Sequence, residues 1–326
     1  QYAPAHYLMG KVYLHKDGII NRRLSSLSLR NAINADDDNS EYRYSLGITY
    51  EKQGFYENAL SEFQRAVKID STDSRSYAKI AELCKRFGLR YDDDKYFTRS
   101  LIAAQKAAIF SNDPTQYYQQ AVVLYEMGKF DSSEMAAKQC INRGADSAFT
   151  ANSYLLIGTD LVRENKFDSA YAAFEQGRKF LSQIARDEMD DIRYLMPPSE
   201  YLKMTEQSFF RQQITIRQFW GQLDPDPTTE TNERKLEHYS RFVHTQLNFS
   251  VPNKGIDGWK SKRGEMYIRY GPPTSQSYSL TSDGDNAESP KWIWVYKNQF
   301  DQPATFIFED TFLNGNFDFP YPNKNW

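Results

Sequence analysis

Seven aromatic and charged residues near the C-terminal end are of types that could line a ligand pocket. Their rings offer stacking surfaces, and their carboxylates and guanidinium groups offer opposed charges, a combination that suits a binding cleft. The alternative reading, which we favour, is structural: the tryptophans anchor a core, and Arg263 holds the loop around Asp224 by an ion pair. The candidate pocket residues are Trp220, Asp224, Arg234, Glu237, Trp259, Arg263 and Tyr270.

Other residues lack the spacing of a catalytic, cofactor or metal site. His238 and His244 are six residues apart on a predicted helix, unlike the i, i+4 spacing of a helix-borne metal pair. His6 and His15 stand apart from both. The run Asp283-Gly284-Asp285-Asn286 resembles a calcium loop but lacks its twelfth-position carboxylate. Since a glycine-rich phosphate loop and a Gly-x-Ser-x-Gly motif are also absent, we predict no catalytic residue, no cofactor and no metal.

Composition and charge exclude several classes of partner. The 326 residues carry a net charge of −3 and a pI near 5.9, and the basic run at 260–263 is too small to track phosphates, so nucleic-acid binding is not expected. The sequence has no apolar run long enough for a transmembrane helix. Gln1 in place of methionine fits a mature exported protein whose signal peptide has been removed, and it fits a trimmed chain equally well. Cys84 and Cys140 occupy packing positions and are expected to be buried.

Small and aromatic residues alternate in a repeating pattern in the first half of the chain. Leu46-Gly47 and Tyr50 are followed by Gly54, by Ala59 and Phe63, and by Ala66. Glycine and alanine let two helices approach closely, and the aromatic rings fill the space beside them. This segment resembles the tetratricopeptide repeat, a pair of antiparallel helices called A and B.

Weaker copies of the pattern surround this segment. The small residues of successive A helices lie 34 to 40 residues apart, at Gly10, Gly47, Ala81, Ala121 and Gly158. The resemblance implies a period of about 34, so we expect insertions between helices, the longest one near residues 91–94. Asp36–Asp38 and Asp92–Asp94 are predicted to be turn residues and helix N-caps. The predicted fold class is mainly α: a solenoid of about five helix pairs followed by a small α+β domain with an antiparallel sheet.

The resemblance to the tetratricopeptide repeat implies a concave surface, formed by the A helices, that binds a protein partner. Counting along each A helix from its small residue gives a set of aromatic, aliphatic and charged positions on that surface. Such residues suit a protein interface, although some of them would otherwise be solvated helix positions. The predicted partner-binding residues are Tyr44, Ile48, Glu51, Lys52, Arg75, Glu82, Lys85, Arg86, Tyr118, Val122 and Tyr125.

After Met196 the sequence changes from repeats to mixed elements. Pro197-Pro198 interrupts the helical pattern, which places a domain boundary between residues 1–196 and 197–326. We predict a helix capped by Ser199 that runs to Trp220, and another over 229–247. Alternation of apolar and polar residues predicts three strands, over 265–270, 291–296 and 305–309.

The order of motifs in this part resembles the bacterial GWxTD domain over about residues 200–320. The resemblance is carried by Phe219-Trp220, Asp224-Pro225 and Asn232-Glu233, then by 258–273, Trp292-x-Trp294-x-Tyr296 and Phe308-x-Asp310. Ser261-Lys262 stands where the family has Thr-Asp, so no role of that aspartate can be transferred. The resemblance implies a bacterial origin and is common in exported proteins, but it does not imply a reaction.

Together these observations predict a non-enzymatic scaffold or accessory subunit of a bacterial envelope assembly, periplasmic or otherwise exported in a Gram-negative-type bacterium. It would bind protein partners within a larger complex and associate only peripherally with that envelope complex. The alternative is an enzyme or ligand-binding module with a pocket in the C-terminal domain; a carbohydrate-binding module is a third reading. The aromatic segment 317–326 is predicted to pack on this domain or on a neighbour.

Overall fold

The computed structural model describes residues 2–16, 18–279, 289–297, 299–300 and 302–320. They form two compact units, residues 1–128 and residues 129–326. The predicted domain boundary after residue 196 lies inside the second unit and stays a prediction. The calcium-like run at 283–286 and the last six residues of the aromatic tail lie outside the described residues.

The first unit is built from helices alone in its described residues. They are α1 (Ala3–Lys16), α2 (Ile19–Ala35), α3 (Ser40–Gln53), α4 (Tyr56–Ile69), α5 (Ser74–Tyr91), α6 (Asp94–Phe110) and α7 (Thr115–Glu126).

The second unit begins with helices and ends with a small sheet. Its elements are α8 (Phe130–Asn142), α9 (Ser147–Arg163), α10 (Phe167–Lys179), α11 (Gln183–Met189), α12 (Pro198–Thr205), α13 (Phe209–Gln222), α14 (Glu233–Phe249), α15 (Lys262–Tyr270), β1 (Ser275–Ser279), β2 (Lys291–Tyr296) and β3 (Ala304–Glu309). Helices α1 to α10 correspond in order to the five predicted pairs, and the predicted fold class is confirmed.

Close packing at small residues explains why these segments pair. A Cβ atom added to Gly47 would lie 2.6 Å from the ring of Phe63, so only glycine lets α3 approach α4 this closely. Ala59, Phe63 and Ala66 are completely buried, as the pattern predicts. In the second unit, Gly158 meets the ring of Phe174 in the same way, at 2.9 Å.

The third pair corrects the prediction of a long insertion near residues 91–94. Helix α5 continues to Tyr91 and α6 begins at Asp94, so the extra residues lengthen the helices and the turn is only two residues long. Asp92 adopts the left-handed conformation (φ 51°) that ends α5. The carboxylate of Asp93 accepts a hydrogen bond from the backbone N–H of Lys95 and caps α6, as predicted for this acidic run.

Two predicted helices in the second unit have different bounds. The segment from Ser199 to Trp220 forms two helices, α12 and α13, and Ser199 lies inside α12 rather than at its cap. Helix α14 begins later than predicted because Asn232 caps it, accepting a hydrogen bond from the backbone N–H of Lys235 at 2.8 Å. Helix α14 packs against α9 and α10, which brings the last helix pair into contact with the C-terminal elements.

The predicted strand over 265–270 is wrong, because this segment is helix α15. Ser261 caps it through a hydrogen bond from the backbone N–H of Gly264, and Gly271 (φ 81°) ends it. Met266, Tyr267 and Ile268 are consecutive and all buried, whereas a strand would place Tyr267 on the face opposite its two neighbours. Packing on several sides of a short helix produced the misleading alternation.

The sheet is antiparallel, with strand order β1-β2-β3. The predicted strand at 291–296 is confirmed as β2, and Trp292, Trp294 and Tyr296 share its buried face. The predicted strand at 305–309 is confirmed as β3, one residue longer. Strand β1 was not predicted.

Part of the aromatic tail packs as predicted. Phe317 is buried, and Asp318 pairs with Glu309 beside β3 through backbone hydrogen bonds of 2.7 and 3.1 Å. The ring of Phe319 stacks on that of Phe308 with centroids 5.2 Å apart. The tail therefore extends the aromatic core of the sheet up to the last described residue, Pro320.

Candidate functional site

In the first unit, charged and aromatic side chains connect the three successive A helices α1, α3 and α5. The hydroxyl of Tyr7 donates a hydrogen bond to Glu41 at 2.8 Å, and the guanidinium of Arg75 donates to the same carboxylate at 2.6 Å. The Arg75 guanidinium carbon also lies 4.6 Å from the ring centroid of Tyr44. These contacts hold partly exposed side chains in fixed positions across three helices.

A second group of charges joins α3 to α5. The ammonium of Lys79 lies 3.0 Å from a carboxylate oxygen of Glu51 and 3.0 Å from one of Glu82. Burial raises the pKa of Glu51, although Lys79 opposes this shift. Burial lowers the pKa of Lys79, but its two carboxylate partners outweigh burial and leave that pKa raised. Both ends of the Glu51–Lys79 pair are therefore only partly hydrated.

The predicted partner-binding residues fall into three classes of exposure. Lys52, Arg75 and Glu82 are exposed. Val122 and Tyr125 are buried, so they support α7 and offer no surface to a partner in this conformation. Arg86 lies over the ring of Tyr56 at 3.8 Å. The partly buried residues are Tyr44, Ile48, Glu51, Lys85, Arg86 and Tyr118. That this surface meets a partner stays a prediction; below, the term A-helix face means Tyr7, Glu41, Tyr44, Glu51, Lys52, Arg75, Lys79, Glu82, Lys85 and Arg86.

Tyr7, Glu41 and Lys79 belong to this surface but were not predicted. Tyr7 and Glu41 are 34 residues apart, and so are Glu41 and Arg75. That separation is the repeat period, so equivalent positions of successive A helices contact one another. Comparing residues one period apart would therefore have identified this chain of contacts from the sequence.

The seven candidate pocket residues of the second unit lie in separate surroundings. Trp220 and Trp259 are buried core residues, as the structural alternative predicts. The ring of Trp220 lies 5.5 Å from that of His238, and the ring of Trp259 lies 5.9 Å from that of Phe242. Tyr270 packs on aromatic residues of the sheet region, with its ring 4.9 Å from that of Phe300.

The charged members of that set are held by structural contacts. Glu237 accepts hydrogen bonds from Arg234 and Arg241; burial raises its pKa, but these two guanidinium groups lower it further, and the net shift is downward. The Arg241 guanidinium is buried and also donates to the backbone oxygen of Ile268 at 2.9 Å. These contacts fasten α14 to α15.

Arg263 does not hold the loop around Asp224, which corrects the predicted ion pair. Its guanidinium lies among three rings, with centroid distances of 4.7 Å to Phe317, 4.8 Å to Phe249 and 5.7 Å to Trp292. Asp224 instead accepts a hydrogen bond from the backbone N–H of Asp226 within its own turn. Arg263 is buried because its planar guanidinium can stack on aromatic faces.

His238 is the most strongly perturbed histidine. Its Nε2 lies 3.1 Å from the backbone oxygen of Met189, and complete burial lowers its pKa from 6.5 to about 4. His244 stacks on Tyr267 with ring centroids 4.3 Å apart. Among the described residues, no group of three or more His, Cys, Asp or Glu side chains could hold a metal ion. No described helix is long and apolar enough to cross a membrane.

Comparisons with known proteins agree with the helical repeats. Residues 40–73 match the family model of the tetratricopeptide repeat. MamA is similar, with 20% identity over 55% of this chain and 97% of the MamA chain, at a TM-score of 0.48. PilF of Pseudomonas aeruginosa has 15% identity over 57% of this chain and 80% of PilF, at a TM-score of 0.46.

YrrB, described as a TPR protein with an unusual peptide-binding site, has 12% identity over 54% of this chain and 84% of YrrB, at a TM-score of 0.46. Curated protein sequences gave no match. Helices α3 and α4 therefore form a tetratricopeptide repeat, identified by the family model and by the close approach of Gly47 to Phe63.

Proposed function

We propose that this protein is a non-enzymatic interaction scaffold that binds a protein partner through the A-helix face of its first unit. The observation that carries the proposal is the chain of contacts Tyr7–Glu41–Arg75–Tyr44, which repeats at the period of the helix pairs. It fixes aromatic and charged side chains before any partner arrives.

Fixed side chains favour binding because less conformational entropy is lost when a partner docks. The Arg75 side chain is held by Glu41 and Tyr44 yet remains 55% exposed, so it can still meet a partner. Tyrosine and arginine are also the residue types that dominate the binding energy of protein interfaces. The A-helix face therefore combines access with order.

The second unit has a supporting role in this proposal. Arg163 of α9 donates a hydrogen bond to the hydroxyl of Tyr267 at 3.2 Å, and Thr231 donates to Asp168 of α10 at 2.9 Å. The ammonium of Lys260 lies 2.6 Å from Glu188. These bonds attach the C-terminal elements to the last helix pair, so they stabilise the end of the repeats.

We further propose that the protein is exported in a Gram-negative-type bacterium and works as an accessory subunit of an envelope assembly. This part rests on the resemblance of the C-terminal part to the GWxTD domain, which stays a prediction, and on the abundance of tyrosine and phenylalanine. Fractionation of the native host checks it: we expect the protein with periplasmic or membrane-associated markers, and recovery with cytoplasmic markers alone would contradict it.

In-cell crosslinking followed by mass spectrometry of the linked peptides tests the scaffold function. Lys52 and Lys85 are lysines of the A-helix face, and Lys138 of the second unit serves as a reference because its side chain is exposed. We expect reproducible links from Lys52 and Lys85 to one protein, with few from Lys138. If all links from Lys52 and Lys85 are intramolecular, the proposed function is wrong.

A further inference from the structure

A groove separate from the A-helix face runs between the B helices α2 and α4 of the first two helix pairs. It consists of two cavities of about 380 and 280 Å³ that share Arg30, Tyr50 and Asn58 among their lining residues. Each is close to the size of a small ligand pocket. We call this surface the B-helix groove; α3 forms its floor.

The lining residues follow one stripe of each helix. Helix α2 contributes Arg23, Ser26, Arg30 and Asn34, α3 contributes Arg43, Leu46, Tyr50 and Gln53, and α4 contributes Asn58, Ser61, Glu62 and Arg65. These spacings of three, four and seven place each set on one side of its helix. On α3, Arg43 and Tyr50 lie roughly a third of a turn away from Tyr44 and Glu51 of the A-helix face.

The groove has an excess of positive charge. Four arginines line it, and Glu62 is the only carboxylate among its lining residues. Glu62 is already bound by Arg43 at 3.1 Å and by Arg65 at 2.7 Å. Within the described part of the chain, Arg23 and Arg30 have no carboxylate partner. Their guanidinium groups therefore remain available to an external anion.

Arg30 is oriented for such a contact. Its Nε donates to the hydroxyl of Tyr50 at 2.9 Å, and its guanidinium carbon lies 5.6 Å from that ring centroid. A guanidinium has five N–H groups in a rigid fork, so donors are left over for a carboxylate. The Nε of Arg43 is buried and has no hydrogen-bond partner among the described residues, which adds an unused donor near the floor of the groove.

The length of the groove favours an extended ligand over a single small anion. The stripe from Arg23 to Asn34 spans about 16 Å of helix at 1.5 Å per residue, enough for about five residues of an extended peptide. Asn34, Gln53 and Asn58 offer amides that can pair with a peptide backbone. Phe55, which is 54% exposed, adds an apolar contact.

From these observations we propose that the B-helix groove binds an acidic peptide segment of a protein partner, with its carboxylates on Arg30 and Arg23. The site uses residues other than those of the A-helix face, so it is a second binding site whose presence does not depend on the first. A carboxylate of the peptide pairs with a guanidinium by two parallel hydrogen bonds, a geometry that lysine cannot provide.

Fluorescence anisotropy with the full chain and a labelled hexaglutamate peptide tests this site, with hexaglutamine as the uncharged probe. We expect saturable binding of hexaglutamate, little binding of hexaglutamine, and affinity that falls with salt. Arg30→Gln should weaken binding about five- to tenfold, because it removes a charge-assisted pair. Arg23→Gln should weaken it about threefold, and this side chain makes no hydrogen bond or ion pair within the described part of the chain, so its loss leaves the fold intact.

Two control variants separate the groove from the general charge of the protein. Lys68→Gln removes one exposed positive charge from α4 outside the groove, and Arg86→Gln removes one from the A-helix face. Each should change the affinity by less than about twofold. Absence of hexaglutamate binding, an equal loss in Lys68→Gln, or a larger loss in Arg86→Gln than in Arg30→Gln would overturn the proposal. So would full displacement of the peptide by inorganic phosphate at an equal concentration of charge, because the site would then take a small anion.

Discussion

The two units use arginine in opposite ways. In the first unit, Arg75 bridges Glu41 and Tyr44 while its side chain stays 55% exposed. In the second unit, Arg241 and Arg263 are each only 9% exposed and lie against backbone oxygen, carboxylate and aromatic rings. The same residue type thus forms a surface in one unit and a core in the other.

This difference indicates where function should be sought. A buried guanidinium that has all its contacts inside the protein is costly to remove, but it offers nothing to a ligand. An exposed guanidinium held in place contributes little to folding and much to recognition. We therefore expect substitutions in the second unit to change stability, and substitutions on the A-helix face to change binding.

The largest effect is expected for Gly258→Ala in the second unit. A Cβ atom there would lie 1.9 Å from the backbone oxygen of Thr245, and backbone cannot move aside as a side chain can. The free energy of unfolding should fall by about 4 kcal/mol or more, measured by urea denaturation. Gly47→Ala in the first unit meets only the ring of Phe63 and should cost about 1–3 kcal/mol.

Gly221→Ala is the matched control for Gly258→Ala, because no atom lies within 4 Å of the added Cβ. Alanine is the better helix former, so this variant should be as stable as the parent or more stable by up to about 1 kcal/mol. Equal stability of the Gly258 and Gly221 variants would contradict the close backbone packing at Gly258.

The next effect depends on pH and concerns Asp160, a completely buried carboxyl of α9. Burial raises its pKa from 3.8 to about 8; a hydrogen bond from Ser133 opposes this, and Glu134 and Glu164 add to it. The folded protein thus holds a proton that the unfolded chain releases near its ordinary pKa. Stability must therefore decrease as pH rises from about 4 to about 8.

Asp160→Asn removes this titration. We expect the variant to match the parent near pH 4 and to be more stable than the parent by roughly 2–5 kcal/mol at pH 8, measured by denaturation at both values. Asp131→Asn, at a carboxylate that is 80% exposed, is the control and should leave the pH dependence unchanged. A constant difference between the Asp160 variant and its parent from pH 4 to pH 8 would show that Asp160 does not titrate as described.

Two arginines that share one carboxylate give the third comparison. Arg241→Ala removes a buried guanidinium and leaves the backbone oxygen of Ile268 without its donor, so stability should fall by about 2–3 kcal/mol. Arg234→Ala breaks the other contact to Glu237 from a side chain that is 43% exposed, and it should cost less than about 1 kcal/mol. Thermal unfolding of both variants checks the order; the reverse order would contradict the structural role of Arg241.

The smallest effect on folding is expected for Arg75→Ala. Its ion pair with Glu41 is partly exposed, so stability should change by less than about 1 kcal/mol. Recovery of the crosslinked partner should nevertheless fall at least about fivefold. Lys138→Ala breaks an exposed pair with Glu134 in the second unit and should change neither quantity. A loss of stability in Arg75→Ala as large as in Arg241→Ala would remove the contrast between the two units.

The repeats could be predicted because their signal is local and periodic. Gly47, Tyr50 and Phe63 have roles fixed by helix geometry, and the pattern recurs at Gly158 and Phe174. Strand β2 was predictable because its alternating tryptophans face one aromatic core. The length of the third pair was not predictable, since the extra residues could lengthen either the turn or the helices.

The remaining errors arise where contacts distant in sequence decide the structure. The segment 265–270 is a helix because Gly258 and Gly264 allow close backbone contact, which alternation alone does not reveal. Strand β1 is polar and is specified by its pairing with β2. The burial of Val122 and Tyr125 and the stacking of Arg263 likewise depend on neighbours that a one-dimensional pattern does not name.

Site-specific photo-crosslinking in the native host tests the central claim most directly. A photoreactive residue replaces Lys52 or Glu82 on the A-helix face, or Lys68 and Lys203 on exposed surfaces elsewhere. The same protein should be captured from both A-helix positions and from neither reference position. Equal capture from all four positions, or capture from Lys203 alone, would contradict a partner-binding role for the A-helix face.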